Sequence, residues 1–268
     1  MNNNRYSRQS FLCADSELRI STAAVGIVGL GGGGSHVAQQ LAHLGFQNIV
    51  LFDADTIEDT NLNRTVGATE SDVLLKSKKV AIAKRTILSL QGNATVKAFS
   101  DRWQNNPSAL RACDIIVGCV DSFAERRELE ITARRYLIPY IDIGMTVKHV
   151  APEPPRMSGQ VFLSMPGCLC MACVEILSEK NLAREAEKYG DAGDRPQVVW
   201  ANGVLASTAV GIAVDIITGW SGQTKKVVYR IYDGNTGTIC EYPLMKYLPK
   251  TCSHYSNDKV GDPRFRAL

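Results

Sequence analysis

The 268-residue chain reads as an α/β protein with a doubly wound sheet, and three observations predict it. Apolar runs of strand length alternate with amphipathic stretches of helical length through the first half. A glycine run, Val28-Gly29-Leu30-Gly31-Gly32-Gly33-Gly34-Ser35, joins the first apolar run to the first amphipathic stretch. An acid, Asp53, closes the second apolar run about twenty residues further on.

The elements follow in order. Ala23, Ala24, Val25, Ile27 and Val28 form the first strand; a helix is expected to open at Ser35 and end at Leu44-Gly45. Ile49-Val50-Leu51-Phe52 is the second strand, and residues 72–90 are expected as one helix. Residues 93–99 and 114–120 read as further parallel strands, with Asp121 ending the latter, and 125–136 as a helix. Residues 140–143 read as a buried strand stopped by Gly144. Beyond residue 150 the pattern changes to short β runs at 160–164, 227–232 and 236–242. The turn Asp233-Gly234-Asn235 marks a hairpin between the last two. The expected sheet is therefore mixed, parallel in its N-terminal half and partly antiparallel in its C-terminal half. The longest apolar stretch, 198–218, holds Asn202, Ser207, Thr208 and Asp215 with Gly203 and Gly211. It reads as a buried helix rather than a membrane span.

Composition narrows the function. A formal charge of +3 with no basic run and no repeats gives no reason to expect nucleic acid as a partner. Strand, glycine turn, helix, strand and acid form the layout that cradles a nucleotide. Glycines let the backbone approach phosphates, the helix N-terminus offers unpaired N–H groups, and the carboxylate suits ribose hydroxyls. A nicotinamide dinucleotide is the obvious ligand, but the next residues argue against it. Asp53, Asp55, Glu58 and Asp59 precede an Asn61-Leu62-Asn63-Arg64 group, Lys78-Lys79 follow, and Asp121 is expected at the same crevice. Arginine, lysine and extra carboxylates around one nucleotide fit a triphosphate with Mg²⁺, whose charge must be neutralised.

With these residues in place the chain resembles the ThiF/MoeB-like adenylating enzymes, relatives of the ubiquitin-activating enzymes with a Rossmann-like fold. The matching pieces are Arg5-Tyr6-Ser7-Arg8-Gln9, the glycine run, Asp53-Ala54-Asp55, Asn61-Leu62-Asn63-Arg64, Lys79-Val80, Cys119-Val120-Asp121 and Cys170-Met171-Ala172-Cys173. The resemblance implies adenylation of a protein or peptide carboxylate by ATP·Mg²⁺. Gly29, Gly31, Gly32 and Gly34 would lie under the phosphates, Asp53 and Asp55 at the nucleotide, and Asn61, Arg64 and Lys79 on the phosphates. Asp121 would hold Mg²⁺. It further implies a homodimer in which Arg8 reaches the partner subunit's site, and the 198–218 helix contributing to the dimer interface. The attacking carboxylate is already ionised at neutral pH, so no general base is needed. Catalysis falls to groups that bring two anions together and stabilise charge, namely Arg64, Lys79, Asp121 with its metal, and Arg8.

Eight cysteines raise the question of metal or thioester chemistry. The N-terminus carries no signal-peptide pattern, so a cytoplasmic location without disulfides is expected. Cys170-x-x-Cys173 after Pro166-Gly167 reads as half of a structural zinc site. Where the resemblance implies a second Cys-x-x-Cys near the C-terminus, this chain has Cys252-Ser253-His254 instead. Cys252 is the expected third ligand, with the fourth open between His254, Cys168 and Cys240. Residues 174–200 contain no cysteine where some relatives carry a thioester-forming one. That stretch is expected to be a crossover segment covering the bound tail. Cys13, Cys113 and Cys119 are poor nucleophile candidates, Cys119 being placed inside a buried strand. Any thiol transfer would then occur on a downstream protein. The expected organisation is one domain over residues 1–268: an arm (1–22), a nucleotide-binding half (23–150), a substrate-binding and zinc half (151–254) and an exposed tail (255–268). The expected substrate is a ubiquitin-like or sulfur-carrier protein ending in a glycine tail. The alternatives are a small peptide or tRNA-borne carboxylate, then a non-catalytic nucleotide scaffold or an NAD oxidoreductase.

Overall fold

The computed structural model describes residues 4–149, 151–179, 181–183, 196–223 and 227–255. Within them, strands β1 (Ala24–Val28), β2 (Asn48–Phe52), β3 (Thr95–Phe99), β4 (Ile115–Gly118), β5 (Tyr140–Lys148), β6 (Arg156–Ser164), β7 (Val228–Asp233) and β8 (Thr238–Glu241) form one eight-stranded sheet. Its order is β3-β2-β1-β4-β5-β6-β7-β8. The pairs from β3 through β5 are parallel, and those from β5 through β8 antiparallel. The mixed sheet expected from the sequence is the one observed.

Strand side chains alternate between two faces, and each face has its own core. Val25, Ile27, Ile49, Leu51, Ile115 and Val117 pack with Val37 and Leu41 of α2 (Gly32–Leu44), Val80 and Ile87 of α4 (Lys79–Leu90) and Leu205 and Ala209 of α7 (Val199–Thr218). Val28, Val50, Phe52 and Ile116 pack on the other face with Leu110 of α5 (Pro107–Leu110) and Leu129 and Ala133 of α6 (Phe123–Arg135). By length and composition α7 could cross a membrane, but it lies in the first core, against α2, β5 and β6.

Several boundaries differ from the sequence expectation. The first helix opens at Gly32, not Ser35, because the glycines themselves form its first turn. The expected helix 72–90 is two, α3 (Glu70–Leu74) and α4, separated where Lys76 adopts φ 50. β4 stops at Gly118, so Cys119 and Asp121 lie in the loop beyond it. β5 runs through Gly144 to Lys148: a Cβ at 144 would fall 2.5 Å from the Arg126 guanidinium, so this glycine makes room for a side chain rather than ending a strand. The N-terminal arm folds into a 3₁₀ segment (Asn4–Leu12) and α1 (Ser16–Thr22). Residues 180 and 184–195 of the expected crossover segment lie outside the described residues, as does the tail after Tyr255.

Candidate functional site

The carboxyl ends of β1, β2 and β4 converge on the glycine loop. Gly29 adopts φ 86, and a Cβ there would stand 2.7 Å from the Cys119 carbonyl oxygen. A Cβ on Gly34 would stand 1.8 Å from the Gly29 carbonyl oxygen, and one on Gly32 would stand 2.2 Å from the Asn202 amide nitrogen of α7. These three glycines let the loop close on itself, on the β4–α6 connection and on α7. Gly31 differs: a Cβ there would meet nothing within 4 Å. The bare backbone at Gly31, at the N-terminus of a 13-residue helix, is the open position a phosphate oxygen needs.

Asp53 ties this loop to the next. Its carboxylate accepts from the Leu30 N–H at 2.6 Å and from the Asp55 N–H at 2.8 Å. Burial pushes its carboxyl above the ordinary range, and the Lys79 charge opposes that shift. The Lys79 ammonium lies 2.7 Å from an Asp55 carboxylate oxygen, and its backbone N–H donates to the Asp55 carbonyl. Lys79 is the first residue of α4, so its ammonium and the first amide of that helix both meet Asp55.

Arg64 donates to the Thr60 carbonyl at 2.6 Å and to the Asn63 side-chain oxygen at 2.9 Å. The Ser35 hydroxyl accepts from the Val66 N–H, which docks this turn on the start of α2. Asn63 donates to the Gln197 carbonyl, just before α7. Asn61, expected on the phosphates, is 8% exposed and accepts from the Glu58 N–H, so it builds the turn that carries Arg64. The structure adds the Ser35 hydroxyl and Asn202 to the groups that shape this loop. Asn202 gave the one available signal, an amide within an apolar helix.

Asp121 is exposed, in the connection from β4 to α6. The neighbouring Val120 carbonyl accepts from Arg126 Nε at 3.1 Å. Arg126 also reaches Asp142, whose other oxygen accepts from the Tyr140 hydroxyl; all three side chains are buried. Burial and the Asp121 carboxylate push the Glu125 carboxyl up, which places a second acid beside Asp121.

Arg8 is not brought to this crevice within its own chain. Its arm docks at the opposite end of α2 and α4: Arg5 donates to the Leu90 carbonyl, Gln9 to the Leu44 carbonyl, and Tyr6 is buried against Gly45 and Gln91. That end lies about 20 Å from the glycine loop at 1.5 Å rise per residue. Arg8 itself is exposed.

A second centre lies on the other half of the molecule. Cys170, Cys173, Cys252 and His254 place their ligand atoms within 4.8 Å of one another. The two sulfurs of Cys170 and Cys173 are 3.6 Å apart, and His254 Nδ1 is 3.5 and 3.4 Å from them. A tetrahedral zinc has S···S edges of about 3.8 Å and S···N edges of about 3.6 Å, so this donor set could hold one. Cys168 and Cys240 stand outside the cluster. Below it, Glu130 accepts from the Ser164 hydroxyl at 2.6 Å and the Met171 N–H at 2.8 Å, and Arg134 donates to the Cys168 and Leu169 carbonyls. Two other thiols are ill-suited to attack: burial pushes Cys113 up to about 12 and Cys119 higher still.

Comparison with known proteins agrees with this architecture. The ThiF family model matches residues 4–254. The molybdopterin-synthase adenylyltransferase of Escherichia coli K12 is 27% identical, covering 90% of this chain and 92% of its own length. The ubiquitin-like modifier-activating enzyme 5 of Oryza sativa subsp. japonica is 28% identical over 69% of this chain and 48% of its own. Among solved structures, Escherichia coli MccB with ATP superposes with TM-score 0.72 at 25% identity, covering 90% of this chain and 71% of that one. The chain spans about half the length of several curated relatives it matches. With a family match over nearly its whole length, the chain belongs to the ThiF family.

Proposed function

We propose that this chain is an ATP- and Mg²⁺-dependent adenylyltransferase acting on the C-terminal carboxylate of a ubiquitin-like or sulfur-carrier protein. The observation that carries the reading is the crevice itself. The open backbone at Gly31, the Asp53–Asp55–Lys79 cluster and the Arg64 turn are linked by direct hydrogen bonds beside the Asp121 loop. A carboxylate oxygen of the substrate attacks the α-phosphorus of ATP. The bond from that phosphorus to the bridging oxygen breaks, and pyrophosphate leaves. Lys79, freed from Asp55 by the stronger polyphosphate charge, and Arg64 then neutralise the growing negative charge. Magnesium, held by Asp121, would supply hard-acid neutralisation of the phosphates. Zinc in the Cys170–Cys173–Cys252–His254 knuckle would be structural, with all four positions taken by protein. Arg8 acts from a second subunit of a homodimer, since its arm is docked away from its own crevice. A cytoplasmic location and a downstream thiol-bearing acceptor complete the reading.

A second reading keeps the chemistry and changes the substrate to a short peptide. The likeness to MccB, solved with AMPCPP and MccA at TM-score 0.73 and 25% identity, favours it. ATP–pyrophosphate exchange separates the two. Exchange dependent on one Gly-Gly-ending protein supports the first reading, and exchange with peptides alone supports the second. No exchange with either, despite ATP·Mg²⁺ binding, overturns adenylation.

A further inference from the structure

Helix α6 carries three charged residues, Arg126, Glu130 and Arg134, spaced four apart, and all three are buried. Residues so spaced lie one above another on a single helix face. Burying three charges on one face is expensive unless each is paired and hydrogen-bonded, and here Arg126 pairs with Asp142 and Arg134 with Glu130. The bonds run to two different places. At the N-terminal end of α6, Arg126 holds the Val120 carbonyl, one residue before Asp121, and also the Asp142 carboxylate and the Ile143 carbonyl. At the C-terminal end, Arg134 holds the carbonyls of Cys168 and Leu169, immediately before Cys170. Glu130 stands between them: it accepts from the Met171 N–H inside the knuckle, from Ser164 at the end of β6, and from Tyr255, one residue past His254. Arg134 also stacks 4.7 Å over the Tyr255 ring. The two ends are cross-braced through the sheet, because Tyr140, which donates to Asp142, is paired in register with Ser164.

We propose that this buried face is a strut. It lets the metal state of the knuckle set the position of the Asp121 loop, making Arg126, Glu130 and Arg134 positioning residues for the nucleotide's metal. The proposal rests on the adenylation reading for its consequence, but the mechanical link stands on the hydrogen bonds alone. A loaded knuckle fixes residues 168–171 and 252–255, these fix Glu130 and Arg134, and α6 then presents Arg126 to Val120 in one place. An empty knuckle frees the C-terminal end of that chain of contacts. Coupling of this kind is reciprocal, so ATP·Mg²⁺ should in turn retain zinc.

The test is amide hydrogen exchange on the full chain, zinc-loaded and chelator-stripped, read segment by segment. Stripping should accelerate exchange at 119–125 as well as at 168–173, while 24–28 and 48–52 keep their protection. Faster exchange confined to the knuckle segments would overturn the strut. Should stripping open the whole fold, visible as lost protection at 24–28, the zinc-loaded Glu130→Gln and Arg126→Lys variants carry the test. In Arg126→Lys, 119–125 should exchange faster with 168–173 still protected. In Glu130→Gln, both segments should loosen and zinc should pass to a chromogenic chelator about tenfold faster. Unchanged exchange at 119–125 in both variants would overturn the proposal. ATP·Mg²⁺ added to zinc-loaded wild-type protein should slow zinc release, and Glu130→Gln should abolish that slowing. If the protein binds no ATP·Mg²⁺ while 119–125 still responds to zinc, the adenylation reading fails and the strut stands.

Discussion

The glycine crevice takes its groups from short stretches of chain, residues 29–35, 53–55 and 60–66 with Lys79, held by both backbone and side-chain hydrogen bonds at the sheet's parallel half. The cysteine–histidine knuckle takes its donors from two places far apart in sequence, His254 meeting Cys170 and Cys173 across the chain. One centre is built from turns and a helix start with short-range signatures, set side by side at the ends of paired strands; the other is made of side-chain donors far apart in sequence. The difference teaches where each is vulnerable. On the proposed reading, loss of a crevice side chain should be felt in the chemistry more than in the fold, and loss of a knuckle donor in the fold more than in the chemistry.

The sharpest way to break that contrast is to remove crevice charges. Lys79→Ala and Asp121→Ala should each lower the adenylation rate by about 10²–10³. Thermal unfolding should leave the melting temperature nearly unchanged, because Lys79 pairs with an exposed carboxylate and Asp121 is itself exposed. A large loss of stability would mean that the crevice is structural after all. Arg8→Ala should lower the rate by about tenfold or more. Mixing it with Arg64→Ala subunits under exchange conditions should restore activity, because one complete site is then assembled. Mixed subunits that exchange without rescue would return Arg8 to its own chain's surface.

Smaller effects sharpen the other side. Gly34→Ala forces a Cβ against the Gly29 carbonyl and should cost about 1–3 kcal/mol of stability as overpacking does, read by denaturant unfolding. Cys170→Ser should abolish zinc binding, measured by metal analysis, and lower stability by about 1–3 kcal/mol. Its effect on the rate should be only several-fold. A loss as large as that of Lys79→Ala would mean that the crevice depends on the knuckle for its chemistry.

The nucleotide half was legible because its signals are local. A glycine run between a strand and a helix leaves few choices of backbone, and Asp53 falls where the second strand must end. What was not legible depended on partners distant in sequence. Gly144 reads as a stop until Arg126 is seen to occupy its missing side chain. That the Asn61 oxygen also accepts from the Glu58 N–H and shapes the Arg64 turn could not be read from the motif alone. The break at Lys76 lies in a run that favours helix throughout. In the knuckle, Cys170 and Cys173 announce themselves by spacing, but choosing His254 over Cys168 and Cys240 required the fold. The buried charges of α6 could not be found from the sequence, because the groups that meet them, Asp142 and Ile143 for Arg126 and Ser164, Cys168 and Leu169 for Arg134, lie outside the helix.

The most direct measurement follows the label from ATP carrying ³²P at either the α or the γ position, incubated with the enzyme and a Gly-Gly-ending protein. Adenylation predicts that the α label travels onto the protein as a base-labile adduct while the γ label appears in pyrophosphate. A γ label on the protein, or release of ADP in place of pyrophosphate, would contradict it.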